Sequence, residues 1–154
     1  MEIIEKLKQL NIPYELIEHP AVYTVKEAKS IVRNIEGVEC KNLFLESKKQ
    51  ELFLYTVPQD KKVNLKELAQ ILGVTRLHFA PPEVLEEVLG VIPGSVTPLG
   101  IINDTKNRVT ILLDEKLKNK KVLVHPNRNT ATISIEYKDL IKVIDNLNHK
   151  YLEI

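Results

Sequence analysis

Cysteine is nearly absent from this chain, in which Cys40 is the only one among 154 residues. A single cysteine cannot form a disulfide within the chain or build a cysteine-based metal cluster. Histidine is the other common metal ligand, but His19, His78 and His149 lie far apart in the sequence. No pair of histidines has the spacing of metal ligands. We therefore expect neither a metal site nor a metal cofactor, and no motif for another cofactor is present.

Long hydrophobic runs are also missing, and none approaches the ~18 residues that a membrane-spanning helix needs. The first six residues, Met-Glu-Ile-Ile-Glu-Lys, are amphipathic and lack the apolar region of a signal peptide. These two absences predict a cytoplasmic protein with no membrane partner.

Charge of one sign is not in excess, since 22 basic and 21 acidic residues give a net charge of +1. Proteins that coat duplex nucleic acid depend on many phosphate contacts, so a DNA partner is not expected. A partner held locally by a small patch stays open. The lysine pairs at 48–49, 61–62 and 120–121 are interpreted as solvated turns.

The composition, 44% hydrophobic and 28% charged, is that of an ordinary globular protein, and 154 residues fit one domain spanning 1–154. Apolar periodicity and turn residues predict a mixed α/β (α+β) fold, because strands and helices interleave without the strict alternation of a Rossmann or TIM architecture. The predicted strands are 14–17, 38–46, 51–57, 76–79, 108–113, 122–125 and 130–135. The predicted helices are 2–11, 24–34, 64–73, 81–90 and 137–149.

The strand at 38–46 contains a lysine inside an otherwise apolar run. Alternation places Lys41, Leu43 and Leu45 on one face and Cys40 with Phe44 on the other, so both faces look covered. A buried, unpaired ammonium costs several kcal/mol, so Lys41 has two interpretations. Either its stem packs while its amine reaches water, or it faces a cavity with a function. Spacing alone favours the first.

Residues 91–103 read mostly as a loop with Pro93, Gly94, Pro98 and Gly100 as turn formers. Glycine allows close approach of a ligand to the backbone and proline fixes the loop shape, so its backbone N–H groups could hold an anion or a carbonyl oxygen. A plain surface turn explains the same composition. The loop has no Walker lysine and is not a nucleotide loop.

The run His125-Pro-Asn-Arg-Asn-Thr-Ala-Thr132 joins two predicted strands. Asn127 and Asn129 can each donate and accept hydrogen bonds. In isolation the run reads as a polar hairpin loop with a histidine at a strand end. No Gly-x-Ser-x-Gly elbow occurs, although counting residues does not exclude a serine–histidine–aspartate triad.

Five segments, each weak alone, form a specific combination. They are Glu18-His19-Pro20, Gly37-Val-Glu-Cys-Lys-Asn-Leu-Phe-Leu45, Gly94-Ser-Val-Thr-Pro98, Ile102-Asn-Asp104 and His125 to Thr132. In this order they resemble the YbaK/prolyl-tRNA synthetase-associated domain family of aminoacyl-tRNA editing domains, and most of all its freestanding PrdX or ProXp-ala branch. The resemblance covers about residues 10 to 148. It implies one domain with a barrel-like mixed β-sheet flanked by helices.

The resemblance also implies which residues act. Lys41 matches the essential lysine of the family, expected to hold the tRNA 3′ end electrostatically rather than to act as a nucleophile. Asn42 would contact the terminal adenosine or the aminoacyl group. Gly94 and Pro98 match a glycine-x-x-x-proline loop, and with Ser95 and Val96 between them it would bound the amino-acid pocket and offer amides to the ester carbonyl.

For the remaining loop, the resemblance makes His125 a pocket residue, with Asn127 and Asn129 ordering the same wall. No general base emerges from these residues, which favours a positioned water and help from the ribose hydroxyl of the substrate. A nearly neutral protein can act on RNA in this way because it reads a single-stranded CCA end rather than a helix.

The implied activity is hydrolysis of mischarged tRNA(Pro) in trans, with alanyl-tRNA(Pro) favoured over cysteinyl-tRNA(Pro) and selection by pocket size. Three alternatives stay open, namely a deacylase that prefers cysteinyl-tRNA(Pro), a module that binds an aminoacyl end or a synthetase without cleaving, and a supporting domain of an oligomer. A transient contact with prolyl-tRNA synthetase and a homodimer are also left open.

Overall fold

The fold is described by a computed structural model for residues 2–21 and 35–154. Its helices are α1 (Ile3–Gln9), α2 (Leu65–Leu72), α3 (Pro82–Leu89) and α4 (Tyr137–Asn146), with short 3-10 helices at Pro98–Asn103 and Glu115–Leu117. Its strands are β1 (Glu15–Glu18), β2 (Val38–Glu46), β3 (Leu52–Pro58), β4 (His78–Phe79), β5 (Val109–Leu113), β6 (Lys121–Val124), β7 (Ala131–Glu136) and β8 (Tyr151–Glu153). The predicted helix at 24–34 lies outside the described residues.

One mixed sheet organises the described residues, with the strand order β1-β7-β6-β2-β3-β5-β8 and β4 paired to β2. The β2–β3, β6–β7, β1–β7 and β2–β4 pairs are antiparallel, whereas β2–β6, β3–β5 and β5–β8 are parallel. The expected mixed α/β class, with helices flanking a sheet, is confirmed.

Local signals place most elements correctly. Asn64 caps α2 by accepting hydrogen bonds from the amides of Lys66 and Glu67, and Gly73 ends it in the left-handed conformation. α3 begins after Pro81 with a proline in its first turn and without a side-chain cap, and Gly90 ends it in the left-handed conformation. The strand predicted at 38–46 has the observed bounds of β2, and it forms a hairpin with β3.

Three expectations needed correction. The loop at 91–103 contains a 3-10 helix, which Thr97 caps by accepting a hydrogen bond from the amide of Leu99. The strand predicted at 122–125 ends at Val124, so His125 belongs to the following loop. The last helix ends at Asn146, because the chain turns there and Asn148 takes a φ of 58°. The described chain also contains β8, which the sequence did not indicate.

Two apolar clusters cover the two faces of the sheet. The larger one contains Phe44 and packs under α1, α3 and α4, with Cys40 against it. The smaller one contains Leu45, with Leu43 and α2 packed on the same side. The two faces of β2 are therefore both covered, as its apolar alternation predicts.

A buried carboxylate connects β5 to the rest of the sheet. Asp114, which is 1% exposed, accepts hydrogen bonds from the Tyr55 hydroxyl at 3.0 Å, from the Lys116 amide at 2.9 Å and from the Lys61 ammonium. Burial raises the pKa of this carboxyl, but the bonds from Lys61, Lys116 and Tyr55 outweigh burial and hold the pKa below its ordinary value.

We expect Asp114→Asn to lower the free energy of unfolding by about 1–3 kcal/mol at pH 7, because the amide cannot accept at both former oxygen positions. A lowered folded pKa stabilises the fold above the unfolded pKa of about 3.9, and that stability is lost as pH falls through the folded value. Urea unfolding at several pH values measures both effects, and the variant should lose less stability in acid. The matched control is Asp60→Asn, at an exposed aspartate; equal losses in both variants would contradict the assignment.

Candidate active site

The partners of β2 change along its length. On one edge β3 pairs with it from Cys40 to Glu46, while on the other edge β6 pairs at Val38 and Glu39 and β4 pairs only at Leu45 and Glu46. Residues 40–44 therefore lie between the two ladders of this edge.

Lys41 lies in this interval and is partly buried. The final β2–β6 pair joins Glu39 to Leu123, and the strands are parallel, so Lys41 and His125 are the next residues on the same face. Within residues 2–21 and 35–154 no carboxylate forms an ion pair with the Lys41 ammonium. Among the described residues its charge is therefore unpaired.

The row of side chains that begins with Lys41 and His125 continues across the sheet. Antiparallel pairing of Val124 with Ile133 makes His125 and Thr132 the next cross-strand neighbours, and Thr132 is in turn paired with Ile17 of β1. Neighbouring strands are about 4.8 Å apart, so four strands bring one lysine, one histidine and one threonine onto one face. This row is the geometric centre of the candidate site.

The ring of His125 is held in one tautomer. Its Nδ1 lies 2.9 Å from the carbonyl oxygen of Ala131, which can only accept, so Nδ1 carries the proton and Nε2 keeps a lone pair. Burial lowers the pKa of His125 below its usual value, and the neighbouring His19 lowers it further. The ring is therefore neutral at neutral pH.

His19 and Thr132 form a second hydrogen-bonded pair behind His125. Nδ1 of His19 donates to the carbonyl of Pro20 at 2.8 Å, so in the neutral ring Nε2 accepts from the Thr132 hydroxyl at 2.9 Å. Thr132 is 7% exposed. Sequence reasoning assigned no role to either residue, since they are separated by 113 positions. The available signal was the resemblance, because its segments include both Glu18-His19-Pro20 and the run that ends at Thr132.

The loop at 94–98 closes against the end of β6. The hydroxyl of Thr97, which is fully buried, donates to the carbonyl of His125 at 2.7 Å. Gly94 has a φ of 95°, a left-handed conformation that glycine adopts without strain. The family resemblance assigned the 94–98 loop and the loop after β6 to one site, and this hydrogen bond joins the two loops directly.

The backbone amides of this loop are not all available. The Ser95 amide donates to the carbonyl of Ile92 at 3.0 Å and its side chain is buried, so Ser95 shapes the loop from within. The amides of Val96 and Thr97 have no acceptor in the described parts of the chain. Thr97 is fully buried, so only the amide of the partly buried Val96 can face a ligand, and an unpaired N–H group of this kind can stabilise an oxyanion.

The two asparagines of the β6–β7 loop face the 94–100 segment. Asn127 has a φ of 64°, and its Oδ1 is buried without a hydrogen-bond partner among the described residues. A Cβ placed on Gly100 would lie 3.6 Å from that oxygen, and one placed on Gly94 would lie 4.0 Å from Asn129 Nδ2. Gly94, Pro98, His125, Asn127 and Asn129 are thus brought together.

Asn42 is positioned differently from its neighbour. It points to the face opposite Lys41, and its Oδ1 accepts a hydrogen bond from the buried Thr56 hydroxyl at 2.6 Å. Only its N–H groups remain to donate. No contact joins Asn42 or Lys41 to the 94–98 loop in the structure as described, so their part in one pocket stays a prediction.

A cavity of about 620 Å³ opens at the other end of β6, between Glu36, Lys121 and Lys138. None of the predicted site residues lines it. Four of its five charged side chains are already paired, with Lys121 Nζ 3.4 Å from Glu36 and Lys138 Nζ 3.2 Å from Glu136, whereas Lys120 forms no ion pair among the described residues. We therefore place the site at the His125 end, where donors and acceptors are unpaired.

The thiol of Cys40 is not activated as a nucleophile, although Cys40 precedes Lys41 in the chain. Burial raises the pKa of its thiol to about 12, so little thiolate forms near neutral pH. In the described residues no cluster of three or more histidine, cysteine or acidic side chains could hold a metal. No described helix is long and apolar enough to cross a membrane.

Comparison with known proteins gives a consistent result. Residues 19–143 match the model of the aminoacyl-tRNA editing domain. The chain is 39% identical to the prolyl-tRNA editing protein ProX of Acetoanaerobium sticklandii over 92% of this chain and 88% of that protein. It is 40% identical to the prolyl-tRNA synthetase associated domain-containing protein 1 of Danio rerio, over 96% and 82% of the two chains.

Solved structures share the fold at lower identity. A hypothetical protein superposes with a TM-score of 0.77 at 18% identity, covering 99% of this chain and 98% of its own. A proposed trans-editing enzyme for prolyl-tRNA synthetase superposes with a TM-score of 0.70 at 23% identity, covering 91% and 85%.

We expect an NMR titration of the histidine ring protons to give His125 a pKa below 6.5, the ordinary value for histidine. The neutral ring then stabilises the fold above that value, and this stability is lost as pH falls through the lower folded pKa. In His19→Asn the His125 pKa should rise, because one neighbouring positive charge is gone, yet stay below 6.5 because burial persists. An unchanged His125 pKa in that variant would contradict the proximity of the two rings.

Proposed function

Because this chain belongs to the aminoacyl-tRNA editing domain family, and is therefore an aminoacyl-tRNA deacylase, we propose that it acts in trans on mischarged tRNA(Pro), with alanyl-tRNA(Pro) as its main substrate. The observation that carries this proposal is near full-length similarity to a prolyl-tRNA editing protein. Action on charged tRNA would take place in the cytoplasm, with the 3′ CCA end and its aminoacyl group as the recognised part.

The reaction is hydrolysis of an ester. Water attacks the carbonyl carbon, the bond from that carbon to the ribose oxygen breaks, and the free amino acid and the ribose hydroxyl leave. An aminoacyl ester is already activated, so the protein mainly has to position the reactants and stabilise negative charge. The proton of the water goes to solvent or through the neighbouring ribose hydroxyl of the substrate.

Lys41 is proposed to hold the RNA end. Its ammonium stands in the interval of β2 between the two ladders and has no ion-pair partner in residues 2–21 and 35–154. A fixed positive charge beside the terminal phosphate or ribose would set the distance from the ester to the loop. This agrees with an electrostatic role, since nothing about the site requires the amine to attack carbon.

The 94–98 loop is proposed to hold the carbonyl oxygen. The Val96 amide is unpaired in the described structure and only partly buried, and the next residue, Thr97, is anchored to His125, so this donor is fixed before substrate arrives. Preorganised donors of this type contribute about 10²–10³ in kcat when compared with variants lacking one of them. Asn42, Gly94, Ser95 and Pro98 would complete the pocket by shape and orientation.

Selection of alanine over proline is proposed to depend on size. The two loops that would form the pocket wall are joined by the hydrogen bond from Thr97 to His125, so the wall is fixed and a larger side chain would clash with it. A steric limit excludes proline, the amino acid that must stay on its tRNA. Transient contact with prolyl-tRNA synthetase and formation of a homodimer remain predictions from the sequence.

We expect Lys41→Met to lower kcat/KM for alanyl-tRNA(Pro) by about 10², the size of effect that follows loss of one electrostatic contact to the reacting group. Methionine keeps an unbranched apolar stem, so the melting temperature should stay within about 2 °C of the wild type. The assay follows release of labelled alanine, and tRNA(Pro) charged with cysteine, serine or proline completes the panel.

Lys49→Met, at an exposed turn, is the matched control and should keep full activity. Loss of ester no faster than the spontaneous rate with every mischarged substrate would overturn the proposed function and leave a binding module. A cysteinyl substrate cleaved faster than the alanyl one would overturn only the preference. Full activity in Lys41→Met would overturn the role of the lysine alone.

A further inference from the structure

Two hydrogen-bond acceptors in the β6–β7 loop have no donor among residues 2–21 and 35–154. One is Nε2 of His125, whose ring is only partly buried and whose Nδ1 already donates to Ala131. The other is Oδ1 of Asn127, the buried side-chain oxygen that lacks a partner among the described residues. Polar atoms at such positions are normally paired, because an unmade hydrogen bond costs free energy. Their pairing is left to something outside the described chain.

The arrangement behind His125 keeps its acceptor open. Thr132 is its cross-strand neighbour in the continued register and carries a hydroxyl that could donate to a nearby ring nitrogen. That hydroxyl is committed to Nε2 of His19 at 2.9 Å. His19 therefore withdraws the nearest competing donor, and the lone pair on His125 is left for a ligand.

We propose that His125 Nε2 and Asn127 Oδ1 together bind the α-amino group of the aminoacyl ester. This inference rests on the proposed function and specifies how its substrate is oriented. A primary α-amine supplies several N–H donors from one atom, which suits two acceptors on one loop. With the amine held there, the adjacent carbonyl group lies toward the 94–98 loop, because Thr97 binds the backbone of the same His125.

Charge supports this assignment over binding of an anion. The two acceptors belong to a neutral His125 ring and to the side-chain amide of Asn127, so neither carries a positive charge that would recruit a carboxylate. The Arg128 guanidinium of the same loop is already paired with Glu18 at 3.1 Å. Lys41 stands on the opposite side of His125 along the row, where a phosphate would bind. The row thus separates an anion-binding end from an amine-binding end. His19 and Thr132 are positioning residues, since they act through His125.

The test compares three ligands that differ only at the α-position. They are alanyl-tRNA(Pro), its N-acetyl derivative and its α-hydroxy analogue, lactyl-tRNA(Pro), each assayed for ester hydrolysis. We expect kcat/KM to fall at least about tenfold for the acetylated ester and for the hydroxy ester, because each has fewer donors at that atom. Equal rates for all three would overturn the amine site while leaving the deacylase function intact.

A second measurement does not depend on turnover. The stable amide 3′-alanylamino-3′-deoxyadenosine and its N-acetyl form are titrated into the protein, and the His125 ring signals are followed by NMR. Perturbation of those signals with at least about tenfold tighter binding of the free amine supports the proposal even if no ester is cleaved. Equal affinities, or no binding of either compound, would overturn it.

Variants identify the two acceptors. Asn127→Gly keeps the left-handed backbone but lacks the acceptor, whereas Asn127→Asp keeps an acceptor, so the preference for amine over hydroxyl should vanish in the first and persist in the second. Asn107→Gly is the matched control, at an exposed asparagine with a φ of 53°. A preserved preference in Asn127→Gly would remove Asn127 from the site.

His19 is tested through its effect on Thr132. In His19→Phe the released Thr132 hydroxyl can occupy His125 Nε2, so binding of the free-amine compound should weaken. Thr132→Val added to that variant removes the competing donor and should restore binding. Weak binding in the double variant as well, with both proteins folded by circular dichroism, would contradict the positioning role.

Discussion

Strand β2 must satisfy the hydrogen bonds of one long segment with three different partners. β3 occupies one edge over the strand's length from Cys40 onward, while β6 and β4 share the other edge and meet it only at its two ends. β6 has only four residues and pairs with β2 at two positions. Because β6 ends at Val124, the chain turns away as a loop at the same level as Lys41. The position of the lysine, of His125 and of both loops follows from this one incomplete pairing.

The fold was readable from the sequence wherever a local signal was strong. β2 was found with its observed bounds because nine mostly apolar residues lie between Gly37 and a polar turn. The bounds of α2 and α3 were also predictable, because Asn64 and Gly73 flank the first helix and Pro81 and Gly90 flank the second. β8 was missed because its three residues are largely exposed and depend on parallel pairing with β5, a contact that no local pattern encodes. The order of strands likewise depends on distant pairings.

The candidate site was likewise predictable from the sequence only in part. Family resemblance pointed to Lys41 and to the two loops, and the structure brings the loops into contact through Thr97 and His125. Spacing could not indicate that His19 meets Thr132, or that Asn42 uses its carbonyl oxygen within the sheet, because both partners come from other strands. Which tautomer His125 adopts was also hidden, since a backbone carbonyl six residues away decides it.

The hydrogen bond from Thr97 to the His125 carbonyl has a consequence for how this pocket can evolve. It joins the loop that we propose to limit side-chain size to the residue that carries the imidazole, so a movement of one displaces the other. A substitution that enlarges the pocket for a bulkier amino acid will also shift the ring and the amides beside it. Under the proposed function, the range of accepted amino acids and the rate of hydrolysis therefore depend on the same hydrogen bond. A substitution that widens the range would also change the rate.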